Sequence, residues 1–311
     1  MKRLQQAVVL CGGLGTRLHP YTDHVPKPMI LCNGKPFLWY LLQQLYEQRI
    51  NRFVLLTGYL AEKIESYFGD GSFWGWEIHY SKGPVEWDTG KRIWEARAEI
   101  DDQFLLLYSD NFTPFPLDKV IALHEKNQSS LTFMVAPKKP GNINLNKAGI
   151  VQKYNNNRSD KSLDYVEIGY MIVEKDQTLA FYETPECSFS SILKKMAAQH
   201  QISAWIQRDA YHSISDPERW KKTEEYLSSK KIILISCGDS MLSVSCLQYI
   251  CVLIIYSNMT TKNTSYDKKV FRLFSILNQL DSRKKVSTGE LAREFNVSLR
   301  TVQRDIVLLN T

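Results

Sequence analysis

The sequence predicts an α/β protein: a mostly parallel sheet with helices on both faces, followed by a small all-helical segment at the C-terminus. Three observations predict it. From Ala7 to about Gln207, short uniformly apolar runs alternate with helical patterns, as expected of strands buried on both faces. A glycine-rich turn follows the first of those runs. The charge is also uneven: residues 1–231 hold 29 basic and 27 acidic groups, 232–258 only Asp239, and 259–311 ten basic against five acidic. The net charge of +6 therefore belongs to the tail.

Taken in order, the strand candidates are "AVVL", "RFVLLTG", "WEIHYSK", "FLLLYSD" and "LTFMVAP". Between them lie the helical patterns "PFLWYLLQQLYEQR", "AEKIESYF", "RIWEARAEI" and "LDKVIALHEKN". The pieces then shorten. "AGIVQKY" and "DYVEIGYMIVEK", separated by the polar "NNNRSDKS", predict a hairpin laid over the sheet edge as a lid. The helix "FSSILKKMAAQH", the strand "ISAWIQ" and the helix "PERWKKTEEYLSS" complete a domain that spans 1–230, followed by a junction at 231–266 and a helical segment at 267–311.

With 311 residues, 44% of them hydrophobic and 23% charged, the chain is long enough for a sizeable core, and disorder is not the default. The opening apolar run, Ala7 to Leu10, is too short for a signal-peptide core, which predicts a cytoplasmic protein. The six cysteines (11, 32, 187, 237, 246 and 251) have no paired spacing. They suit reduced, buried thiols better than a disulfide framework or a zinc site.

Residues 232–258 are apolar enough by length to span a membrane, but Asp239, Gln248 and the serines oppose it. An aspartate at mid-span costs about 2.5–3.5 kcal/mol. A buried strand plus helix is a second reading. A junction without a fold of its own is the favoured one.

The chemistry concentrates in "VVLCGGLGTRLHPYTDHVPKPMI". A glycine turn after a strand exposes backbone N–H groups, and glycine lets backbone approach a phosphate closely. Gly12, Gly13 and Gly15 fit that use. The kinase-type P-loop and the dinucleotide fingerprint both fail, because no G-K-[ST] ending and no third spaced glycine are present. Arg17 supplies a fork suited to phosphate oxygens. Lys27, between Pro26 and Pro28, is a point charge on a stiff extended segment.

These residues closely resemble the signature G-G-x-G-[TS]-R-[LM]-x-P-x-T-x-x-x-P-K-P of the sugar-phosphate nucleotidyltransferases, complete from Gly12 to Pro28. The likeness extends over about residues 4–228. It implies a Rossmann-like fold and an Mg²⁺-dependent attack by a sugar 1-phosphate on the α-phosphorus of an NTP, with release of pyrophosphate. It implies catalytic roles for Arg17, Lys27 and Asp110, and nucleotide contacts from Leu10, Gly12, Gly13, Gly15 and Thr16. "TGY" and "EWDTG" add Gly58, Asp88 and Gly90. Asp110, at the end of "FLLLYSD", is implied as a metal ligand; a turn or cap aspartate is the plainer alternative.

On the sugar side the resemblance implies Lys153, Glu167 and Gly169. Here the chain departs from the pattern. Gln152 stands where many members have glutamate, and Ser213 where many have aspartate. Asp216, three residues later, is taken as the second metal ligand, with a helix N-cap before Pro217 as the competing role. "EWDTG", "EIGYMIV" and "SISDPERW" resemble the branch that guanylylates D-glycero-D-manno-heptose 1-phosphate or mannose 1-phosphate. "KKIILI" resembles the opening strand of a haloacid-dehalogenase-type phosphatase, but the two aspartates needed there fall at Ser236 and Gly238, and no phosphatase activity is assigned.

The tail, "KKVFRLFSILNQLDSRKKVSTGELAREFNVSLRTVQRDIVLLN", reads as three helical segments with Arg300, Gln303 and Arg304 on one exposed face. It resembles the helix-turn-helix of DeoR-type regulators but stops without wing or sensing domain. DNA contact by those three residues is one expectation, a silent appendage the other. The chain is thus expected to be an enzyme acting on an NTP and a sugar 1-phosphate, with a DNA-binding regulator and a non-catalytic sugar-nucleotide sensor as rivals. Base, sugar and oligomeric state, a homo-oligomer included, stay open at this level.

Overall fold

The computed structural model describes residues 4–158, 160–229, 291–293 and 297–302. The chain divides into two compact units, Met1–Lys230 and Lys231–Thr311. In chain order the strands are β1 (Gln6–Cys11), β2 (Leu31–Cys32), β3 (Lys35–Pro36), β4 (Arg52–Thr57), β5 (Glu77–Lys82), β6 (Gln103–Tyr108), β7 (Asn111–Phe112), β8 (Leu131–Pro137), β9 (Ile143–Leu145), β10 (Val151–Tyr154), β11 (Tyr165–Glu174), β12 (Ile202–Ile206) and β13 (His212–Ser213). The helices are α1 (Phe37–Tyr46), α2 (Ala61–Phe68), α3 (Thr89–Ala96), α4 (Leu117–Asn127), α5 (Lys175–Leu179), α6 (Phe189–Ala198) and α7 (Pro217–Ser229).

Among the described residues nine strands form one sheet in the order β10-β9-β11-β6-β1-β4-β5, with β8 beside β11 and β12 beside β8. β1 runs parallel to both β4 and β6, and β4 parallel to β5. The apolar runs are the interior strands: Ala7–Val9 and Leu105–Leu107 are fully buried, so neither face of the parallel core meets water. Each such Leu or Val contributes on the order of 1.5–3 kcal/mol by leaving water. α1 buries seven of its ten residues, which explains its almost continuous apolar sequence.

The expected hairpin lid is corrected by the structure. β10 pairs with β9, while β11 enters the sheet antiparallel between β6 and β8. The reason lies in "IGYMIV": Ile168 and Tyr170–Val173 are all buried, and a strand apolar on both sides cannot lie over an edge. Its register with β8 slips between Glu167 and Met171, a bulge made at Gly169, whose φ is +80°.

In the second unit residues 291–293 and 299–302 are helical. The Ser298 hydroxyl accepts from the Thr301 amide at 3.1 Å, capping the latter stretch, and Arg300 is exposed. Gln303 and Arg304, the possible span at 232–258, the phosphatase-like "KKIILI" and Cys237, Cys246 and Cys251 lie outside the described residues. Cys11 and Cys32 are free and buried, and burial pushes both thiols up to about 12. Among the described residues no helix is long and apolar enough to cross a membrane.

Candidate active site

The parallel strands end level with one another. Leu10 is in register with Tyr108, Cys11 with Thr57, and Thr57 with Lys82. Chain leaving those ends surrounds a cleft of about 370 Å³. Leu10, the glycine loop with Thr16 and Arg17, Lys27, and the β6 terminus with Asp110 line it, so the phosphate-side residues expected from the sequence come together here.

The three glycines serve different ends. A Cβ on Gly12 would lie 2.4 Å from the Arg92 guanidinium carbon. A Cβ on Gly13 would meet nothing within 4 Å, which leaves that backbone open to the cleft. Gly15 has φ +68° and would press a Cβ to 2.9 Å from Lys27 Cβ. Only Gly13 thus matches the simple picture of backbone bared for a phosphate. The loop is held from behind: Thr22 Oγ1 donates to Gly15 O at 3.1 Å, and Tyr59 Oη reaches Thr22 O and Asp23 O at 3.0 and 2.9 Å. Tyr59 of "TGY" therefore braces the loop.

Arg17 sits in a 3₁₀ turn, Thr16–Leu18, anchored by the fully buried Leu18. Lys27 starts a second such turn, Lys27–Met29, rather than the extended segment expected; Pro26 is extended, and Pro28 fits the second position of a turn. Lys27 Nζ lies 2.6 Å from Asp110 Oδ2, with the side chains 13% and 23% exposed. The pair holds both charges at the cleft wall, and Asp110 Oδ1 has no partner among the described residues.

The other expected residues are used differently. Asp88 caps α3: its Oδ1 accepts from Gly90 N at 2.8 Å and Phe189 N at 3.0 Å. Gly90 is pressed against the Cys187 carbonyl, 2.1 Å from where its Cβ would be, and neither residue lines the cleft. Trp87 and Thr89 do. Gly58 packs on the Arg92 guanidinium. Lys153 Nζ is paired with Asp160 Oδ2 at 2.5 Å and is largely exposed. Gly169 packs on Tyr108. Glu167 is pushed up to about 7, first by burial, with the negative charge of Asp110 adding to it and the Arg158 guanidinium opposing.

Asp216 is the N-cap of α7, its Oδ1 accepting from Arg219 N at 2.9 Å and its Oδ2 from Ser215 Oγ at 3.1 Å. Those bonds hold its carboxyl below the usual range. Each oxygen carries one hydrogen bond, and Asp216, expected as the second metal ligand, caps the helix and does not line the cleft. At Ser213, the position aligned with the family's aspartate, the hydroxyl accepts from Ser215 N at 3.1 Å. Among the described residues no three His, Cys, Asp or Glu side chains group to hold a metal by themselves. What remains is one carboxylate oxygen beside room for phosphates. That fits Mg²⁺, which binds through one or two carboxylates together with substrate phosphates.

The sequence reading missed Arg92, Trp87, Tyr108 and Ser215, all of which line the cleft. Trp87 packs on Gly83, where a Cβ would be 2.2 Å from its ring; the spacing of Gly83 and Trp87 around Pro84 was the available signal. Arg92 had none, because its partners lie on three separate segments.

The nucleotidyl transferase family model matches residues 6–202, and an HTH-domain model matches 272–311. The chain belongs to the nucleotidyl transferase family. A probable glucose-1-phosphate cytidylyltransferase of Bacillus subtilis is 33% identical over 148 residues, 41% of this chain and 58% of that protein. The D-glycero-alpha-D-manno-heptose 1-phosphate guanylyltransferase of Campylobacter jejuni is 30% identical over 213 residues, 68% of this chain and 96% of that one. Among solved structures, a UDP-glucose pyrophosphorylase complexed with UDP-glucose superposes with a TM-score of 0.61 at 17% identity, over 74% of this chain and all of that one. It shares the fold.

Proposed function

We propose that residues 1–230 form a sugar-1-phosphate nucleotidyltransferase, with 231–266 a junction and 267–311 a helix-turn-helix-like segment. It transfers a nucleoside monophosphate, GMP in the first instance, from an NTP to D-glycero-D-manno-heptose 1-phosphate or mannose 1-phosphate. The observation that carries the reading is the 2.6 Å approach of Lys27 to Asp110 at the wall of a cleft that Gly13 and Arg17 also line. The Campylobacter relative's name supports the guanine base and the heptose acceptor.

In this reading the open backbone at Gly13 receives the triphosphate. An acceptor phosphate oxygen bonds to the α-phosphorus while the bond from that phosphorus to the α–β bridging oxygen breaks. The electron pair leaves on pyrophosphate, and no proton moves when the acceptor attacks as its dianion. Charge therefore builds on the leaving group, where Arg17 and Lys27 stabilise it; such transfers depend on positioning and electrostatics more than on a protein nucleophile. Mg²⁺, held by Asp110 Oδ1, would add charge neutralisation at the phosphates.

Pyrophosphate release from a panel of NTPs and sugar 1-phosphates tests this, with the fastest pair expected to be GTP and a manno-configured acceptor. No release from any pair sinks the reading. A second reading concerns the tail alone: the HTH match over 272–311 and the exposed Arg300 favour contact with DNA. Duplex binding that weakens steeply with salt would support it.

A further inference from the structure

Arg92, in the first turn of α3, is the cation that the foregoing mechanism leaves unused. The residue is 6% exposed, yet it lines the floor of the cleft. Its Nη1 donates to Thr57 O at 2.7 Å, and its Nη2 donates to Pro84 O at 2.6 Å and lies 3.4 Å from Gly12 O. Those carbonyls belong to the end of β4, the chain after β5 and the chain after β1, three segments also linked in pairs by Tyr59 N to Gly12 O at 3.2 Å and Gly83 N to Thr57 O at 3.1 Å; the guanidinium alone touches all three. The slot closes on the guanidinium only because its walls are glycine: a Cβ at position 12 would be 2.4 Å from Cζ, and one at position 58 would be 2.7 Å from Nη2.

The partners are neutral. Among the described residues no carboxylate is ion-paired with Arg92, whereas Arg52 has Asp101 at 2.8 Å and Lys27 has Asp110. Burial draws the Arg92 pKa down, with Cys11 and the Glu86 carboxylate opposing from a distance, and a guanidinium stays charged in a protein. A buried charge without a counter-ion is costly, and carbonyl dipoles compensate it only in part. Glu86 acts on it without touching it, and a negative charge in direct reach can come from whatever enters the cleft above.

We infer that Arg92 is a positioning residue for a polyphosphate. It fastens the glycine loop to the neighbouring strand ends and lays a fixed positive charge beneath the phosphates. The inference rests on the nucleotidyl transfer reading for the identity of the anion, though not for the existence of the anion site.

The test uses the full chain and two ligands, inorganic pyrophosphate and GTP, with binding by calorimetry and steady-state kinetics. In Arg92→Lys, which keeps the charge but cannot span three carbonyls, the Kd for pyrophosphate and the KM for NTP should both rise about 10-fold or more, because an ammonium does not replace the planar fork. The KM for the sugar phosphate should change less than about 2-fold, being set by another wall. Added guanidinium ion should restore pyrophosphate binding to Arg92→Ala. Gly12→Ala, which displaces the guanidinium without deleting it, should weaken pyrophosphate in the same direction. Unchanged pyrophosphate affinity in folded Arg92→Lys or Gly12→Ala overturns the inference, even if either variant melts earlier. If the native chain binds pyrophosphate but turns over no sugar phosphate, the transfer reading falls, and Arg92 is judged on pyrophosphate affinity alone. A native chain that binds neither ligand ends both.

Discussion

The two sets of residues expected to serve the site contrast sharply. On the phosphate side, Gly13, Arg17, Lys27 and Asp110 converge on one space. Those expected at the sugar and the second metal do not line it: Lys153 is paired with Asp160, Asp216 caps α7, and Glu167 is half-buried with the Asp110 charge acting on it. The first set hangs from short turns on adjacent parallel strand ends, whose positions the sheet register dictates. The second set comes from a bulged antiparallel strand, an outlying strand and a helix start, where a carboxylate or ammonium has local partners to take. Convergence follows from how few joints separate a side chain from the sheet.

The largest break in that contrast is Asp110→Asn. Turnover should fall at least ~10²-fold, about 2.7 kcal/mol of barrier, with the fold retained by circular dichroism; full activity would place the phosphate-side chemistry elsewhere. Next, Gly12→Ala should lower stability by about 1–3 kcal/mol in denaturant melts, since a pinned guanidinium has to move. Gly13→Ala should change it by less than ~0.5 kcal/mol while raising the NTP KM. Equal costs at the two glycines would remove the distinction between packed and open positions.

Smaller effects sharpen the sugar side. The Glu167 carboxyl has its folded pKa raised from 4.5 to about 7, so the unfolded chain ionises first. Its stabilisation is complete below pH 4.5, fades as pH rises to about 7 and is absent above. Glu167→Gln should flatten that slope, on the order of 1–2 kcal/mol between pH 5 and 8; parallel pH curves for the two chains would refute the shift. Asp216→Ala should cost about 1 kcal/mol through the lost cap. A ~10²-fold fall in turnover would instead return Asp216 to the chemistry.

Much of the fold was legible because each interior strand is a single apolar run, and the glycine and proline punctuation bounds it. β11 was misjudged because "DYVEIGYMIVEK" alternates at its start and is uniformly apolar only from Ile168. A linear reading weighs the two halves equally, while the sheet weighs the buried one. Within the site, Lys27 and Asp110 were legible from motif and strand end. Asp88 and Asp216 carry capping signals as strong as their functional ones, and the backbone amides took them. Arg92 was invisible: its three carbonyl partners lie up to 80 residues from it in sequence and meet only once β1, β4 and β5 stand side by side.

The level strand ends carry a last consequence. The segments 12–28, 83–88 and 110–116 all depart from one shelf, so a change in length in any of them need not propagate into the other two. Gly13, Arg17 and Lys27 travel on the first of these segments and Asp110 on the last, so 83–88 is the segment that can change length without moving the phosphate-side residues.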